Sequence, residues 1–308
     1  MLRSVSQFLH SRYLRRKGCL GLACYGDSFA YVRYRYEKGV FTTVDQGNHP
    51  ISEYSDDEFS RFFEDQELDG ALISVGLSSE LVHHFTLEYE NLPSNRKKRE
   101  KFLGWRYQNY VKGSVNQLLA HSVEVAHSVV MEQEAGVIVG HSSISNEAMK
   151  LIKYMKSSRL VVQNTSIIDF QVPNYINAVL PDSPENVLFV YFGAERWTVQ
   201  LMVKAGIVYS SSSADCSVYP KEELDHIVYN VESCARYFQE KYQLLVGGII
   251  VLNDQEDQDA IKALERMLES ISSNVQVRTN NVLGLDGKET DFKHLSACAS
   301  AYPVLAEL

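Results

Sequence analysis

Two stretches of this chain share one pattern. "GLACYGDSFAYVRYRYEKGVFT" (Gly21–Thr42) and "VLFVYFGAERWTVQLMVKAGIVYS" (Val187–Ser210) each read as strand, tight turn, strand, tight turn, strand. Each first turn holds an aromatic-glycine pair, Tyr25-Gly26 and Phe192-Gly193. Each has a second turn glycine thirteen residues later, Gly39 and Gly206. A single match of this kind arises by chance. Two glycines at one offset, a matched aromatic and matched strand lengths argue for an internal duplication. The 308 residues are too many for one ordinary domain and enough for two related units.

The segments after each meander repeat as well. After the first comes "SDDEFSRFFEDQ", with acidic residues in its first turn and Phe59, Phe62 and Phe63 on one side, the mark of an amphipathic helix. "GALISVGL" then reads as a buried strand. After the second, a helix is expected over Lys221–Tyr242, with Leu224, Ile227, Val228, Val231, Ala235 and Phe238 on one stripe, and then the buried strand "GGIIVLN". The linker Pro181–Asn186 separates the copies. The expected boundaries are a basic amphipathic arm over 1–18, a first unit over 19–180 and a second over 187–308.

An inserted subdomain interrupts the first unit at about 81–141. Its strands are "LVHHFTLEYENL", "HSVEVAHSVVM" and "GVIVG", and its helix is "SNRKKREKFLGWRYQNYV". The first unit closes with a Ser-capped helix in "SSISNEAMKLIKYMKSS", a strand in "RLVVQNTS", and a helix in "IIDFQVPNYINAVL" interrupted near Pro173. The second closes with an acid-capped helix in "DQEDQDAIKALERMLESI", a short strand "NVQVRT" and a final helix in "DFKHLSACASAYPVL".

Composition narrows the function. A formal charge of −9 argues against a nucleic-acid partner, whose binding domains are usually basic. No apolar run reaches the roughly 20 residues of a membrane-spanning helix, and the first residues lack the apolar centre of a secretory signal. The five cysteines are scattered without a CxxC, as reduced cysteines in a cytosolic protein are. His83, His84, His121, His127 and His141 read as ordinary histidines, although His121 and His127 share a face of an extended strand; no metal site is expected. Ser210–Ser213 lacks a Gly-x-Ser-x-Gly elbow, and Gly247-Gly248 makes no GxGxxG.

Two basic segments stand against this acidic background. From Met1 to Gly26 there is no acidic residue, while Arg3, Arg12, Arg15, Arg16 and Lys17 accompany Leu2, Val5, Phe8, Leu9 and Tyr13 at roughly helical spacing. This arm reads as an amphipathic helix for an anionic membrane surface, as a solvated tail, or as an Arg-rich transit segment. In the insert, Arg96, Lys97, Lys98, Arg99, Lys101 and Arg106 form either a solvated helix face or a face for acidic lipid or an acidic partner.

The order of elements resembles the actin-like, or ribonuclease-H-like, α/β fold, in which two domains each begin with a three-strand meander and a nucleotide lies between them. From about Cys19 onward the chain is similar to the PilM family of type IV pilus assembly. "FLGWRYQNYVKGSVNQLLAHSVEV", "GVIVGHSSISNEAMKLIKYMKSSRLVVQNTSIIDFQV" and "VESCARYFQEKYQLLVGGIIVLN" carry the likeness. Within the family it most resembles the MshI-type members of mannose-sensitive haemagglutinin (MSHA) pilus biogenesis. The cytoplasmic domain of the type II secretion protein GspL shares the architecture. The resemblance implies a cytoplasmic protein peripheral to the inner membrane. It also implies a bitopic inner-membrane partner, PilN-like, bound through a short cytoplasmic N-terminal segment. The assembly ATPase or a second copy are further partners it allows.

In nucleotide-binding members each first hairpin carries Asp-x-Gly and then small hydroxyl residues, for the carboxylates orient Mg²⁺ and the glycine lets backbone N–H groups approach phosphate. Carried onto this chain, the first aspartate falls on Cys24 and the second on Tyr191. Gly26, Asp27, Ser28 and Gly193 remain as vestigial phosphate-loop positions, Glu195 stands close to where a phosphate would lie, and Trp197 adds bulk where a small residue is usual. The adenine-bed Gly-Gly is replaced by Asn253-Asp254. The expectation is a pseudo-ATPase scaffold with no catalytic residue and no ATP or Mg²⁺ cofactor. The alternative is a nucleotide-binding ATPase or sugar-kinase relative. Arg12, Arg15, Arg16, Lys17, Arg96, Lys97 and Arg99 are the expected membrane or partner contacts.

Overall fold

A computed structural model describes residues 18–306 apart from 39, 53–54, 66–70, 79–80, 90–92, 96, 99–100, 103–104, 106–121, 130–136, 145, 159, 180–183, 193–196, 204–205, 214–219, 254–257, 273, 280–281 and 284–288. Strands β1 (Cys19–Cys24), β2 (Ser28–Glu37) and β3 (Val40–Pro50) form the first antiparallel meander. Strands β4 (Leu72–Leu77) and β8 (Val161–Ile167) extend it in parallel, giving the order β3-β2-β1-β4-β8. The second sheet copies this plan. Strands β9 (Val187–Phe192), β10 (Trp197–Val203) and β11 (Gly206–Ser213) form its meander, and β12 (Gly248–Asn253) and β13 (Val275–Thr279) add in parallel, in the order β11-β10-β9-β12-β13. Identical strand order and sense in both sheets is the duplication seen in the sequence.

Between the fourth and fifth strands of the first sheet lies a separate three-stranded antiparallel sheet, β5 (Val82–Tyr89), β6 (Ser122–Val129) and β7 (Val137–Ile144), with β7 in the middle. Strand β7 runs through Ser142 and Ser143, and the next helix begins only at Asn146. Ser142 and Ser143 are paired to β5 and β6, the expected helix follows, and Ser145 next to its start lies outside the described residues.

The outer face of the first sheet is covered by α1 (Asp56–Asp65) and α2 (Asn146–Ser157). Ser55 caps α1, its Oγ accepting from the Glu58 N–H at 3.4 Å. Phe59 and Phe62 of α1 then pack on Phe29 of β2, with ring centroids 5.9 and 5.4 Å away. Helix α3 (Ile168–Val179) comes directly after β8 and runs through Pro173 without interruption, contrary to the expected break. The lost N–H bond costs about 3 kcal/mol in an isolated helix. Burial of Phe170, Val172, Tyr175 and Ile176 on either side of the proline offsets it.

In the second unit, α4 (Pro220–Tyr242) and α5 (Gln258–Glu269) cover one face of the sheet. Leu224, Ile227, Val231, Cys234 and Phe238 of α4 pack with Leu188, Val190 and Phe192 of β9. A short hairpin, β14 (Val282–Leu283) with β15 (Glu289–Thr290), then leads into α6 (Phe292–Leu305).

Helix α6 is last in the second unit by chain order, yet it packs on the first sheet, against β1, β2 and β4. Small residues make this possible. A Cβ on Gly21 would fall on the Ala297 carbonyl and the Ala301 methyl; one on Gly76 would fall on the Ser300 hydroxyl and Ile168. Ser74 Oγ donates to the Ser300 carbonyl, and Tyr34 Oη donates to Cys298 Sγ at 2.9 Å. Among the described residues no helix is long and apolar enough to cross a membrane.

Candidate functional site

Strand alternation decides which residues face the cleft between the two sheets. In β1, Gly21 faces α6, so Cys19 and Ala23 share that face and Leu20, Leu22 and Cys24 face the other way. The pairing of Cys24 with Phe29, which packs on α1, places Cys24 in the outer core. Cys24 is fully buried, and burial pushes its thiol well above the ordinary cysteine range. In β9 the face carrying Leu188, Val190 and Phe192 belongs to the α4–α5 core, so Phe189 and Tyr191 turn to the cleft.

Cys24 and Tyr191 are therefore not equivalent positions. The first hairpin closes on the pair Cys24–Phe29 and the second on Phe192–Trp197. In hydrogen-bond register Cys24 matches Phe192, and Ala23 matches Tyr191. The glycine offset read from the sequence is one residue out of step with the ladder.

Trp197 needs a second correction. It opens β10, is buried, and joins the α4–α5 core rather than filling the turn. Its neighbour Thr198 faces the cleft instead. Glu195 and Arg196 lie outside the described residues, as do Gly39 and Gly193.

The first turn is well defined. Tyr25 N–H donates to the Ser28 carbonyl at 2.9 Å, closing a loop whose tip is the exposed pair Gly26-Asp27. The Asp27 carboxylate accepts from Ser28 Oγ at 2.8 Å, and its backbone carbonyl accepts from Ile51 N–H at 2.8 Å. The N-terminal turn of α6 reaches both first-strand ends. Lys293 Nζ lies 5.5 Å from the Tyr25 ring centre, and Phe292 stacks on Tyr191 with centroids 4.5 Å apart and planes inclined by 19°. Asp291 caps α6, accepting from the His294 N–H at 2.9 Å, and its second oxygen meets His294 Nδ1 at 2.6 Å. The Asp291 contact holds the imidazole above its ordinary value, and the His294 contact holds the carboxyl below its own.

Behind the Tyr191–Phe292 stack lies a cavity of about 20 Å³, walled by Ile168, Val172 and Pro173 of α3 and by Phe189 and Leu252. Asp169, Thr198 and Gln200 supply its polar surface. Gln200 Nε2 donates to Ser210 Oγ at 3.2 Å, while the buried Thr198 Oγ1 has no partner among the described residues. The space holds about one water. Asp169, Gln200 and Phe292 were not singled out in the sequence; Asp169 sits in the quoted "IIDF" run, and the others carry no local signal.

Among the described residues the two strand ends do not present the paired carboxylates that a magnesium nucleotide needs. A core thiol and a stacked tyrosine stand at the positions that the resemblance assigned to them. No group of three or more His, Cys, Asp or Glu side chains converges on a metal site among the described residues. Of the expected contact residues, Lys97 is described and exposed on helical backbone. Arg12, Arg15, Arg16, Lys17, Arg96 and Arg99 lie outside the described residues, as does His121.

No protein-family model matches the chain, and no curated protein matches it in sequence. Solved structures do match. The "PilM-PilN type IV pilus biogenesis complex" aligns over 94% of this chain and 97% of that chain, with a TM-score of 0.58 and 13% identity. A Bacteroides thetaiotaomicron protein "with actin-like ATPase fold and unknown function" covers 84% of this chain and 90% of its own, with a TM-score of 0.51 and 9% identity. The cytoplasmic domain of EpsL, "an inner membrane component of the type II secretion system of Vibrio cholerae", aligns over 82% of this chain and 94% of that chain, with a TM-score of 0.47 and 9% identity. The fold is the duplicated actin-like α/β fold.

Proposed function

We propose that this protein is a non-catalytic scaffold of pilus or secretion-machine assembly, cytoplasmic and peripheral to the inner membrane, that binds the cytoplasmic segment of a PilN-like inner-membrane partner. The observation that carries the non-catalytic half is the Tyr191–Phe292 stack at the end of β9, together with the burial of Cys24 in the outer core. The support for the assembly half is the likeness along nearly the whole chain to a protein solved as part of a PilM–PilN complex. The finer assignment to an MSHA-like pilus rests on the sequence resemblance of the segments quoted above.

The two halves are tested separately. Thermal unfolding with millimolar ATP and Mg²⁺ is expected to show no shift, because a ligand of the native site stabilises by RT ln(1 + [L]/Kd). A clear upward shift that needs both ATP and Mg²⁺ favours the nucleotide-binding alternative. For the partner, the intact chain used as bait on solubilised membranes is expected to capture a bitopic inner-membrane assembly protein, identified by mass. Capture of only soluble metabolic enzymes would sink the scaffold reading.

A further inference from the structure

A second surface lies outside the cleft, on the helical backbone at 97–98, 101–102 and 105. Lys98, Lys101, Phe102 and Trp105 obey the i, i+3, i+4, i+7 spacing of one helix stripe. Lys97, Lys98 and Lys101 are all exposed. Trp105 is 55% exposed, whereas the chain's other tryptophan, Trp197, is 6% exposed. The Phe102 and Trp105 rings lie side by side, with centroids 6.3 Å apart. From Arg96 to Trp105 there are five basic residues and one acidic, in a chain of formal charge −9. The basic charge is thus concentrated beside an aromatic pair of which Trp105 is exposed and Phe102 partly buried.

We infer that this stripe is a membrane-surface anchor: Lys97, Lys98 and Lys101 meet anionic lipid headgroups while Trp105, beside Phe102, enters the interfacial layer. Lysines near an anionic leaflet gain attraction that a neutral surface does not give. Trp has an apolar body and a polar N–H tip, which suits the headgroup level of a bilayer. The half-exposed Trp105 beside Phe102 adds an apolar, headgroup-level element to the charged stripe that lysines alone would not supply. The anchor names the lipid surface for the peripheral placement proposed above, and it does not depend on the identity of the protein partner.

The test uses the full chain with vesicles of phosphatidylcholine, with and without phosphatidylglycerol. Flotation is expected to show binding only when phosphatidylglycerol is present, at about 0.1 M salt and falling as salt rises. Trp105 emission is expected to shift to the blue and to be quenched by brominated lipid; Trp197, already buried, contributes a constant background. Lys97→Glu, Lys98→Glu and Lys101→Glu together are expected to weaken binding at least about tenfold, without lowering the melting temperature. Trp105→Ala should weaken binding several-fold and abolish the emission shift. Arg12→Glu, Arg15→Glu and Arg16→Glu together should leave the Trp105 shift in place. The inference is overturned if anionic vesicles fail to bind, if they bind with Trp105 emission unchanged, or if the stripe captures poly-glutamate but not vesicles, which marks it as a site for an acidic protein.

Discussion

The rings of Tyr191 and Phe292 stack across the cleft, 4.5 Å apart, joining the end of β9 in the second sheet to the first turn of a helix packed on the first. The contact ties the two units together, and removing either ring should loosen that tie. Tyr191→Ala and Phe292→Ala are each expected to lower stability. A double-mutant cycle in urea should give a coupling of about 0.5–1.5 kcal/mol beyond the lost burial. Additive single effects would show that the rings are neighbours without being partners.

The close approach of α6 to the first sheet makes a second, sharper demand. Gly21 and Gly76 leave no room for a side chain beneath Ala297 and Ser300. Gly76→Val is expected to cost about 1–3 kcal/mol or more, because its side chain would overlap those of Ser300 and Ile168. Val251→Ala, in the α4–α5 core of the second unit, removes volume there instead and should keep α6 docked. Hydrogen exchange along α6 separates the two: faster exchange in Gly76→Val, and protection retained in Val251→Ala.

Much of this fold was legible because its signals are local. Alternation in "FAYVRYRY" and the turn at Gly26-Asp27 mark the first meander, and the Leu224–Phe238 stripe marks α4. The cleft was less legible because facing is set by register. One residue of slip moves a side chain to the opposite face of a sheet, so the shared glycine offset paired Cys24 with Tyr191 although one faces α1 and the other the cleft. Trp197 was misplaced for the same reason. The return of α6 to the first sheet is a long-range contact that no spacing announces, although the small residues of "SACASA" are its trace.

The outward facing of Cys24 predicts that a carboxylate cannot simply be put back there. Cys24→Asp places an ionisable group in a fully buried site beside Phe29. Burial would raise its folded-state pKa above the unfolded value, so the loss of stability grows as pH rises above that unfolded value. A cost of several kcal/mol at neutral pH is expected, partly relieved toward pH about 4. Cys24→Ala should show no such pH dependence. A folded Cys24→Asp protein that gains Mg·ATP affinity would contradict the outward facing.

The cap of α6 carries a pH signature of its own. Asp291 is lowered from 3.8 chiefly by its hydrogen bond with His294, so its contribution is present above 3.8 and lost as pH falls below. His294 is raised from 6.5 chiefly by the same contact, so its contribution is complete below 6.5 and lost as pH rises through the elevated value. The pair therefore stabilises most between those two reference values and fades on the alkaline side. Asp291 is half exposed, which keeps the ion-pair part to about 1 kcal/mol or less. His294→Gln should flatten the decline in urea midpoint above pH 6.5. Asp291→Ala should also remove the N-cap, costing about 1 kcal/mol across the whole range, because the His294 N–H loses its acceptor at every pH. An unchanged midpoint profile in His294→Gln would show that another group carries the pH dependence.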